Sequence, residues 1–367
     1  EVMVIRECPG PGCRGGADPD RYCRKGFCGP LCSVCEIGYY KAANTCNKCD
    51  GISYIQSAVW FVLIAIVASF VMFLRKRFAA AFEYVWSTLR VHLRILWSTL
   101  QILSQFPSLM STIIPDSLAA VCNVMWVANV SPLENLGISC ISNSVSGFFP
   151  RLIFATSMPA VVSLVLLASY VIRRHLSSTE KDKERLQVQH TRLFLLLCYL
   201  VLTPVTTTVF QTFLCDDDFG STKDSFLVAD YALACHGRDY GLLVGYAVVC
   251  VLLYPCGINV MYGWLLLKHE SEIREGGAQH LSFLFDAYKP EYFYWEIVDN
   301  MRRLSLTGLL AVLPARGRVL FATLFSIFFL VLQREAQPFA IGHDNTLQNI
   351  ANSGITFTLM LLLACQG

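Results

Sequence analysis

Charge is what this chain has least of. Of its 367 residues only 15% are Asp, Glu, Lys or Arg, while 54% are hydrophobic, against about a quarter charged in ordinary soluble domains. That deficit excludes a water-soluble globular class and points to an integral membrane protein. The net charge of +2 is carried by basic residues that cluster beside apolar runs, with no aromatic-interleaved patch, so nucleic acid is not expected as a partner. Catalytic patterns are missing as well. The seven histidines (His92, His175, His190, His236, His269, His280 and His343) form no His-x-x-x-His or His-Glu pairing that would hold a metal. There is no glycine-rich phosphate loop and no nucleophile elbow. No enzyme activity, catalytic residue, metal or cofactor is expected. Asp216, Asp217, Asp218 and Asp224 gather hard oxygen ligands without EF-hand spacing, and Glu270, Glu272 and Glu275 surround Arg274; both read more simply as solvated charge runs than as a calcium site. The chain also starts without Met or a signal peptide and stops at LMLLLACQG, inside or just past an apolar run. Both ends are therefore expected to continue in a longer polypeptide, or the first to follow a cleaved signal.

Cysteine, by contrast, is abundant and uneven. Eight of sixteen fall in the first 49 residues, at Cys8, Cys13, Cys23, Cys28, Cys32, Cys35, Cys46 and Cys49. Closely spaced cysteines separated by Gly and Pro suit a small disulfide-stapled module formed in an oxidising compartment. The alternative is zinc, since Cys32-x-x-Cys35 and Cys46-x-x-Cys49 supply two thiolate pairs. Disulfides are preferred because four further cysteines share the module and because zinc would favour a cytosolic N-terminus.

A helix needs about 20 mostly apolar residues to cross the hydrocarbon core. Eight stretches approach that length, at 52–74, 93–113, 148–172, 192–213, 240–267, 302–315, 318–333 and 347–365. The expected fold is thus an all-α polytopic membrane domain over 51–367, preceded by a small loop and β module over 1–50. Residues 78–92 are either an interfacial helix or the first turns of the second span. Only Pro314, Ala315, Arg316 and Gly317 separate the sixth and seventh stretches, which predicts a tight helical hairpin.

With the N-terminal module outside, the inner loops 75–92, 173–191 and 268–301 carry most of the loop Lys and Arg, whereas 114–147 has none and 214–239 has only Lys223 and Arg238. This asymmetry obeys the positive-inside rule and agrees with the cysteine argument. Arg316 and Arg318, in the tight outer hairpin, run against that rule, although two cations are tolerable at headgroup level. Cys122 and Cys140 share one outer loop and Cys215 and Cys235 the other, so each loop could close its own bridge, although four cysteines allow three connectivities. Asn129-Val-Ser131 is a glycosylation sequon. Cys198, Cys250, Cys256 and Cys365 read as small buried hydrophobes within spans.

The stretch CRKGFCGPLCSVCEIGYYKAANTCNKC resembles the EGF-like (ephrin-receptor-like) cysteine-rich repeats that end the ectodomains of large eukaryotic surface proteins. Cys23, Gly26, Phe27, Gly29, Cys32, Cys35, Gly38, Tyr39 and Tyr40 occupy the pattern's positions, and Cys28 stands where such repeats have a non-cysteine residue. The resemblance implies a rigid stalk or spacer rather than a ligand-binding domain. From Ile52 onward the chain is similar to the transient-receptor-potential-like multi-span region that follows such repeats in algae, oomycetes and other protists. The matching stretches are LRILWSTLQILSQFPSLM, LLYPCGINVMYGWLLL, FLFDAYKPEYFYWEIVDNMRRLSLTGLL and QPFAIGHDNTLQNIANSGI. No selectivity-filter sequence lies between the last spans, and the sixth-to-seventh loop is too short for a pore helix.

Polar residues inside the spans mark either a lined conduit or, more often, hydrogen bonds that join helices. Gln101, Ser104 and Gln105 share one face; Thr203, Thr206, Thr207, Thr208 and Gln211 flank Pro204; Asn259 follows Pro255 and Gly257, a predicted hinge; Gln348, Asn349 and Asn352 open the last span. At the start of the sixth stretch Glu296, Asp299, Arg302 and Arg303 lie at helical spacing beside Tyr292, Tyr294 and Trp295. Asp299 is expected to pair with Arg302 or Arg303, and Glu296 shares a face with Arg303. The plainer reading is an interfacial anchor with surface ion pairs and an aromatic belt; the alternative is a gating elbow. The expected function is a channel-like or mechanosensory membrane protein, with a non-conducting receptor or anchor as the rival. Expected partners are membrane lipids, an extracellular protein bound by the N-terminal module, and other chains in a homo- or hetero-oligomer. The expected location is the plasma or flagellar membrane with the N-terminus extracellular or lumenal.

Overall fold

Five helices, Phe148–Leu176, Glu180–Gln211, Arg238–Lys268, Gly317–Ala336 and Gly342–Ala364, are long and apolar enough to cross a membrane by length and composition. They belong to a computed structural model that describes residues 12–14, 22–42, 45–49, scattered positions between 62 and 77, then 79–109, 147–216, 225–313 and 315–366. Cys8, Cys122, Asn129, Cys140, Asp217, Asp218, Asp224 and most of the first expected span lie outside the described residues. So do the side chains of Arg316 and Cys365.

Helices among the described residues include, in chain order, α1 (Ala79–Leu109), α2 (Phe148–Leu176), α3 (Glu180–Gln211), α4 (Arg238–Val251), α5 (Gly257–Lys268), α6 (Trp295–Leu304), α7 (Leu310–Val312), α8 (Ala315–Ala336) and α9 (Gly342–Gln366), with two short helices, Glu270–Arg274 and Ser282–Phe285, between α5 and α6. Residues 79–92 are the first turns of α1, not a separate interfacial helix. Of the second expected span, residues 93–109 lie in α1, and the sixth runs from the end of α6 through a π-turn into α7; neither is among the five apolar candidates. The expected break between the sixth and seventh stretches is present: Leu313 turns to an extended backbone before α8 starts at Ala315. Arg318 is buried rather than at a surface, since its Nη2 donates to the Leu313 carbonyl at 2.8 Å and satisfies an otherwise orphaned helix-end acceptor.

The chain divides into two compact units. One comprises Glu1–Leu89, Val130–Phe154 and Gln211–Ala247; the other comprises Arg90–Asn129, Ala155–Phe210 and Val248–Gly367. In the first, β1 (Phe27–Cys28) pairs antiparallel with β2 (Val34–Cys35), and β3 (Tyr39–Ala42) with β4 (Thr45–Lys48). Bridges Cys23–Cys32 and Cys35–Cys46 staple these hairpins, and Cys13 and Cys49 are also disulfide-bonded. The zinc arrangement is thereby set aside for Cys32 and Cys35, whose sulfurs bond elsewhere. A third sheet, β5 (Cys215–Asp216), β6 (Phe226–Leu227) and β7 (Asp230–Ala234), is closed by Cys215–Cys235, the pairing expected for that loop. Strands this short bury too little apolar surface to hold themselves, and bridges supply about 2–4 kcal/mol each. Cys28 is the correction: it is a free thiol. Its place opposite Val34 in the β1–β2 ladder leaves Cys23 and Cys32 to pair with each other.

The second unit is helical and holds three apolar clusters. One joins α1, α7, α8 and α9 through Ile102, Phe106, Leu310, Val319 and Leu359; one joins α3 and α5 through Leu195, Leu202, Ile258 and Tyr262; a smaller one gathers Val91, Ile95, Trp295 and Phe339. In α8 and α9, Ser326 meets Thr356 at 2.6 Å and Gln333 meets Asn345 at 3.5 Å, so the two run antiparallel. The most apolar window of α3 is 56% buried and that of α2 only 17%. Among the described residues α3 is therefore the central helix, while α2 turns Val161, Leu164, Val165 and Ile172 outward, an apolar face too large for water.

Candidate functional site

Four of the polar residues expected in separate spans, Gln101, Asn259, Gln348 and Asn352, belong to one network that begins along one face of α1. Arg90, Arg94, Ser98 and Gln101 recur every three or four residues, which sets them on a single stripe. Each meets a partner within the second unit. Arg90 pairs with Asp286 at 2.5 Å in an exposed contact. Arg94 pairs with Glu296, which is 1% exposed and also accepts from the Tyr288 hydroxyl at 3.0 Å. Ser98 accepts from Arg302 at 3.4 Å, and Gln101 accepts from Arg303 at 3.4 Å.

On α6 the expected pairing of Asp299 is realised with both arginines, at 2.8 Å to Arg302 and 3.6 Å to Arg303. Arg302 also donates to Asn352 of α9 at 3.0 Å, and Gln348 donates to the same Asn352 oxygen at 3.0 Å. Arg303 donates to Asn300, whose amide donates to Asn259 of α5 at 3.1 Å; Asn259 in turn donates to the Pro255 carbonyl at 2.7 Å. The Arg303 guanidinium lies over the Tyr199 ring at 4.2 Å, a cation–π contact strengthened by desolvation. Three guanidiniums, of Arg94, Arg302 and Arg303, thus face two carboxylates, of Glu296 and Asp299, leaving one positive charge in excess.

This overturns the surface-anchor reading of the charged turn. Arg302 is 3% exposed and Arg303 is 0% exposed, so these are buried ion pairs, for which desolvation costs several kcal/mol per ion unless geometry and extra hydrogen bonds offset it. Glu296 pairs across helices with Arg94 rather than along its own helix with Arg303. Trp295 is buried against Tyr292 with ring centroids 5.6 Å apart, and only Tyr294 of that aromatic trio is exposed.

Two π-helical turns flank the cluster. Leu252–Cys256 contains Pro255 and precedes Asn259; Ser305–Leu309 directly follows Arg303. The expected Pro255–Gly257 hinge is therefore a π-turn inside a continuous helix, a feature concentrated at functional sites. Its geometry explains Gly257: a Cβ there would stand 3.1 Å from the Leu252 carbonyl oxygen. In the second π-turn a Cβ on Gly308 would meet Phe210 at 2.8 Å and Thr206 at 3.0 Å, so glycine permits close approach of α3.

Not every expected polar residue joins. Thr207 and Thr208 donate to Thr203 and Pro204 carbonyls of their own helix at 3.0 Å each, the usual i−4 bond of buried hydroxyls. The Thr206 hydroxyl is buried without a hydrogen-bond partner. Gln105 is buried one turn beyond Gln101. Gln211 belongs to the first unit, where it accepts from Arg151 at 3.3 Å. Arg94, Ser98, Tyr199, Tyr288 and Asn300 were not singled out from the sequence, although the period of Arg90, Arg94, Ser98 and Gln101 in an otherwise apolar helix was readable.

The segments before α6 and α9 are tied together. Tyr288 and Phe339 form an antiparallel bridge with rings 5.0 Å apart, and Lys289 and Ala340 N–H groups donate to Pro338 and Ala287 carbonyls at 2.8 and 3.0 Å. The Asn345 side chain closes the second segment by accepting from Phe339 N–H at 3.1 Å and donating to its carbonyl at 2.9 Å.

In the first unit the 3-10 turn Pro30–Cys32 and β2 lie against β7. Asp230, the first residue of β7, accepts from the Phe148 N–H at the start of α2 at 2.9 Å, and its negative charge suits that helix end. In the same unit the Tyr240 hydroxyl of α4 donates to the Thr212 carbonyl at 3.1 Å. Burial, and secondarily Glu36, push the Cys28 thiol above the ordinary cysteine range, which disfavours the reactive thiolate. Among the described residues no three His, Cys, Asp or Glu side chains are grouped to hold a metal. Comparison with known proteins adds no name: no family model, curated protein or solved structure matches this chain.

Proposed function

We propose that this chain is a channel-like, mechanosensory integral membrane protein, in which a stapled extracellular module acts on a membrane domain that has a charged seam at its centre. The observation that carries the reading is the buried cluster of Arg94, Arg302, Arg303, Glu296 and Asp299. Ionisable groups within membrane-spanning segments are costly, and where they occur they mark pathways, relays or moving elements. An inert anchor has no use for five of them. Their position beside two π-turns, which can shift the phase of the helix beyond them, suits an element with two arrangements.

The reading takes the N-terminus as extracellular, with eight spans, oriented by the cysteine distribution and the positive-inside charge bias. Under that orientation the contact of the stapled module with β7, and of Asp230 with the first turn of α2, is a route by which a pull outside reaches a helix. The likeness to transient-receptor-potential-like proteins of protists belongs to the same proposal, as do EGF-like character, glycosylation at Asn129 and assembly with further copies. The stretch most specific to that likeness, around Tyr288, pairs with Phe339, which lies in another of the matching stretches.

The rival is a non-conducting receptor or anchor, favoured by the rigidity of the stapled module. Purified full chain in planar bilayers decides between them. Cation current that appears under membrane tension and shifts its threshold in Arg303→Gln supports the channel; absence of current under tension, voltage and calcium overturns it.

A further inference from the structure

A cavity of about 20 Å³ opens inside the seam, and its chemistry is lopsided. Val91, Ile95, Ala287 and Phe339 form an apolar wall; the rest carries polar groups, with Glu296, Asp299 and Gln348 among it. The side-chain donors that line it each have a partner, Tyr199 and Gln348 included. Arg94 and the Tyr288 hydroxyl both donate to Glu296 Oε2, Arg302 donates to Asp299 Oδ1, and the Ser98 hydroxyl donates to the Ile95 carbonyl at 3.0 Å. Glu296 Oε1 is left buried with no hydrogen-bond partner, on a side chain 1% exposed. A buried carboxylate oxygen left unpaired bears the full cost of its desolvation.

What the cavity lacks is therefore a donor, and its size and charge select which. A water needs roughly 10–15 Å³ of such space and two to four polar partners. A metal cation would also meet the oxygens, but the cluster already carries one positive charge in excess, so a further cation would be repelled where a neutral donor is not. We propose that this cavity is a binding site for one structural water, which donates to Glu296 Oε1 and to a second acceptor on Asp299 or Gln348. With Gln348 as that acceptor it bridges α6 to α9, beside the Arg94 side chain of α1. Such a bridge is replaceable, so the helices can shift without stranding a carboxylate. The assignment does not depend on whether the chain conducts.

Density for the full chain in lipid nanodiscs, at a resolution that shows ordered water, decides it. One peak about 2.8 Å from Glu296 Oε1, with a second protein oxygen at similar distance, is the expected result. An empty cavity, a Glu296 carboxylate rotated onto a protein donor, or a peak about 2.3–2.4 Å from five or more oxygens, which identifies a cation, each overturns the proposal. Val91→Met supplies the sign. Its flexible side chain fills the cavity without forcing the walls, so expelling a bound water lowers the thermal midpoint by stranding Glu296 Oε1, whereas filling a dry cavity raises it.

Discussion

The two compact units of this chain are held by opposite means. The first contains strands of two to five residues whose shape depends on covalent closure, Cys23–Cys32, Cys35–Cys46 and Cys215–Cys235. Its strand-bearing parts hold little apolar core: Ile37 is 84% exposed, and the buried residues there are a bridged cysteine, glycines and Leu227, while Phe148, Leu152, Leu243 and Ala247 are buried on its helical stretches. The second has no bridge among its described residues. It rests on apolar clusters threaded by a charged seam in which Arg303 is fully buried. A disulfide acts largely on the unfolded chain and fixes one geometry. A buried ion pair contributes little net stability and is costly to break from one side. The stapled unit is thus built to stay as it is, whereas the seam is built so that a change in one partner is felt by all.

The largest expected effect follows from that asymmetry. Arg303→Ala removes a donor to Gln101 and Asn300 and one of two cations facing Asp299, and should cost about 3–5 kcal/mol, measured by thermal unfolding of the purified protein in lipid. A loss under about 1 kcal/mol, the range of exposed pairs, would place the seam in water and erase the contrast. Cys215→Ser with Cys235→Ser opens a bridge spanning 20 residues and should cost about 2–4 kcal/mol, read as faster proteolysis within the 215–235 loop. If that double variant leaves cleavage unchanged, the sheet does not depend on its staple. Gly308→Ala comes next. The added carbon would crowd the Phe210 ring at 2.8 Å, and overpacking of this kind costs about 1–3 kcal/mol; a stabilised variant would show that α3 can retreat from the π-turn.

How far the sequence discloses this depends on which force shapes each part. Five apolar helices of the eight expected spans were legible, because apolar runs of membrane length need no long-range information; so was the Cys215–Cys235 loop, where two cysteines share one short connection. The pairing of Asp299 with Arg302 and Arg303 was legible too, since i+3 and i+4 spacing is local. Burial of that turn was not. Charges at the end of an apolar run read as surface, and only the partners Arg94 and Gln101, about 200 residues away, turn them into a core. Cys28 was misassigned for a related reason: cysteine spacing cannot say which sulfur is left over, and strand register decides it.

The smallest effect is the sharpest use of the comparison, because it changes burial while holding chemistry almost constant. Arg90 and Arg94 are one turn apart on α1, and each meets a carboxylate, Asp286 and Glu296. The first pair leaves its side chains 45% and 44% exposed; the second leaves them 18% and 1% exposed. Asp286→Asn should therefore shift stability by no more than about 1 kcal/mol and by still less in high salt, where exposed charges are screened. Glu296→Gln strands Arg94 inside the fold and should cost about 3–5 kcal/mol, with little dependence on salt. Thermal unfolding of both variants at two ionic strengths checks the pair together. Equal losses would mean that burial along this stripe does not grade from Arg90 to Arg94, and that the seam begins a turn earlier than its exposure indicates.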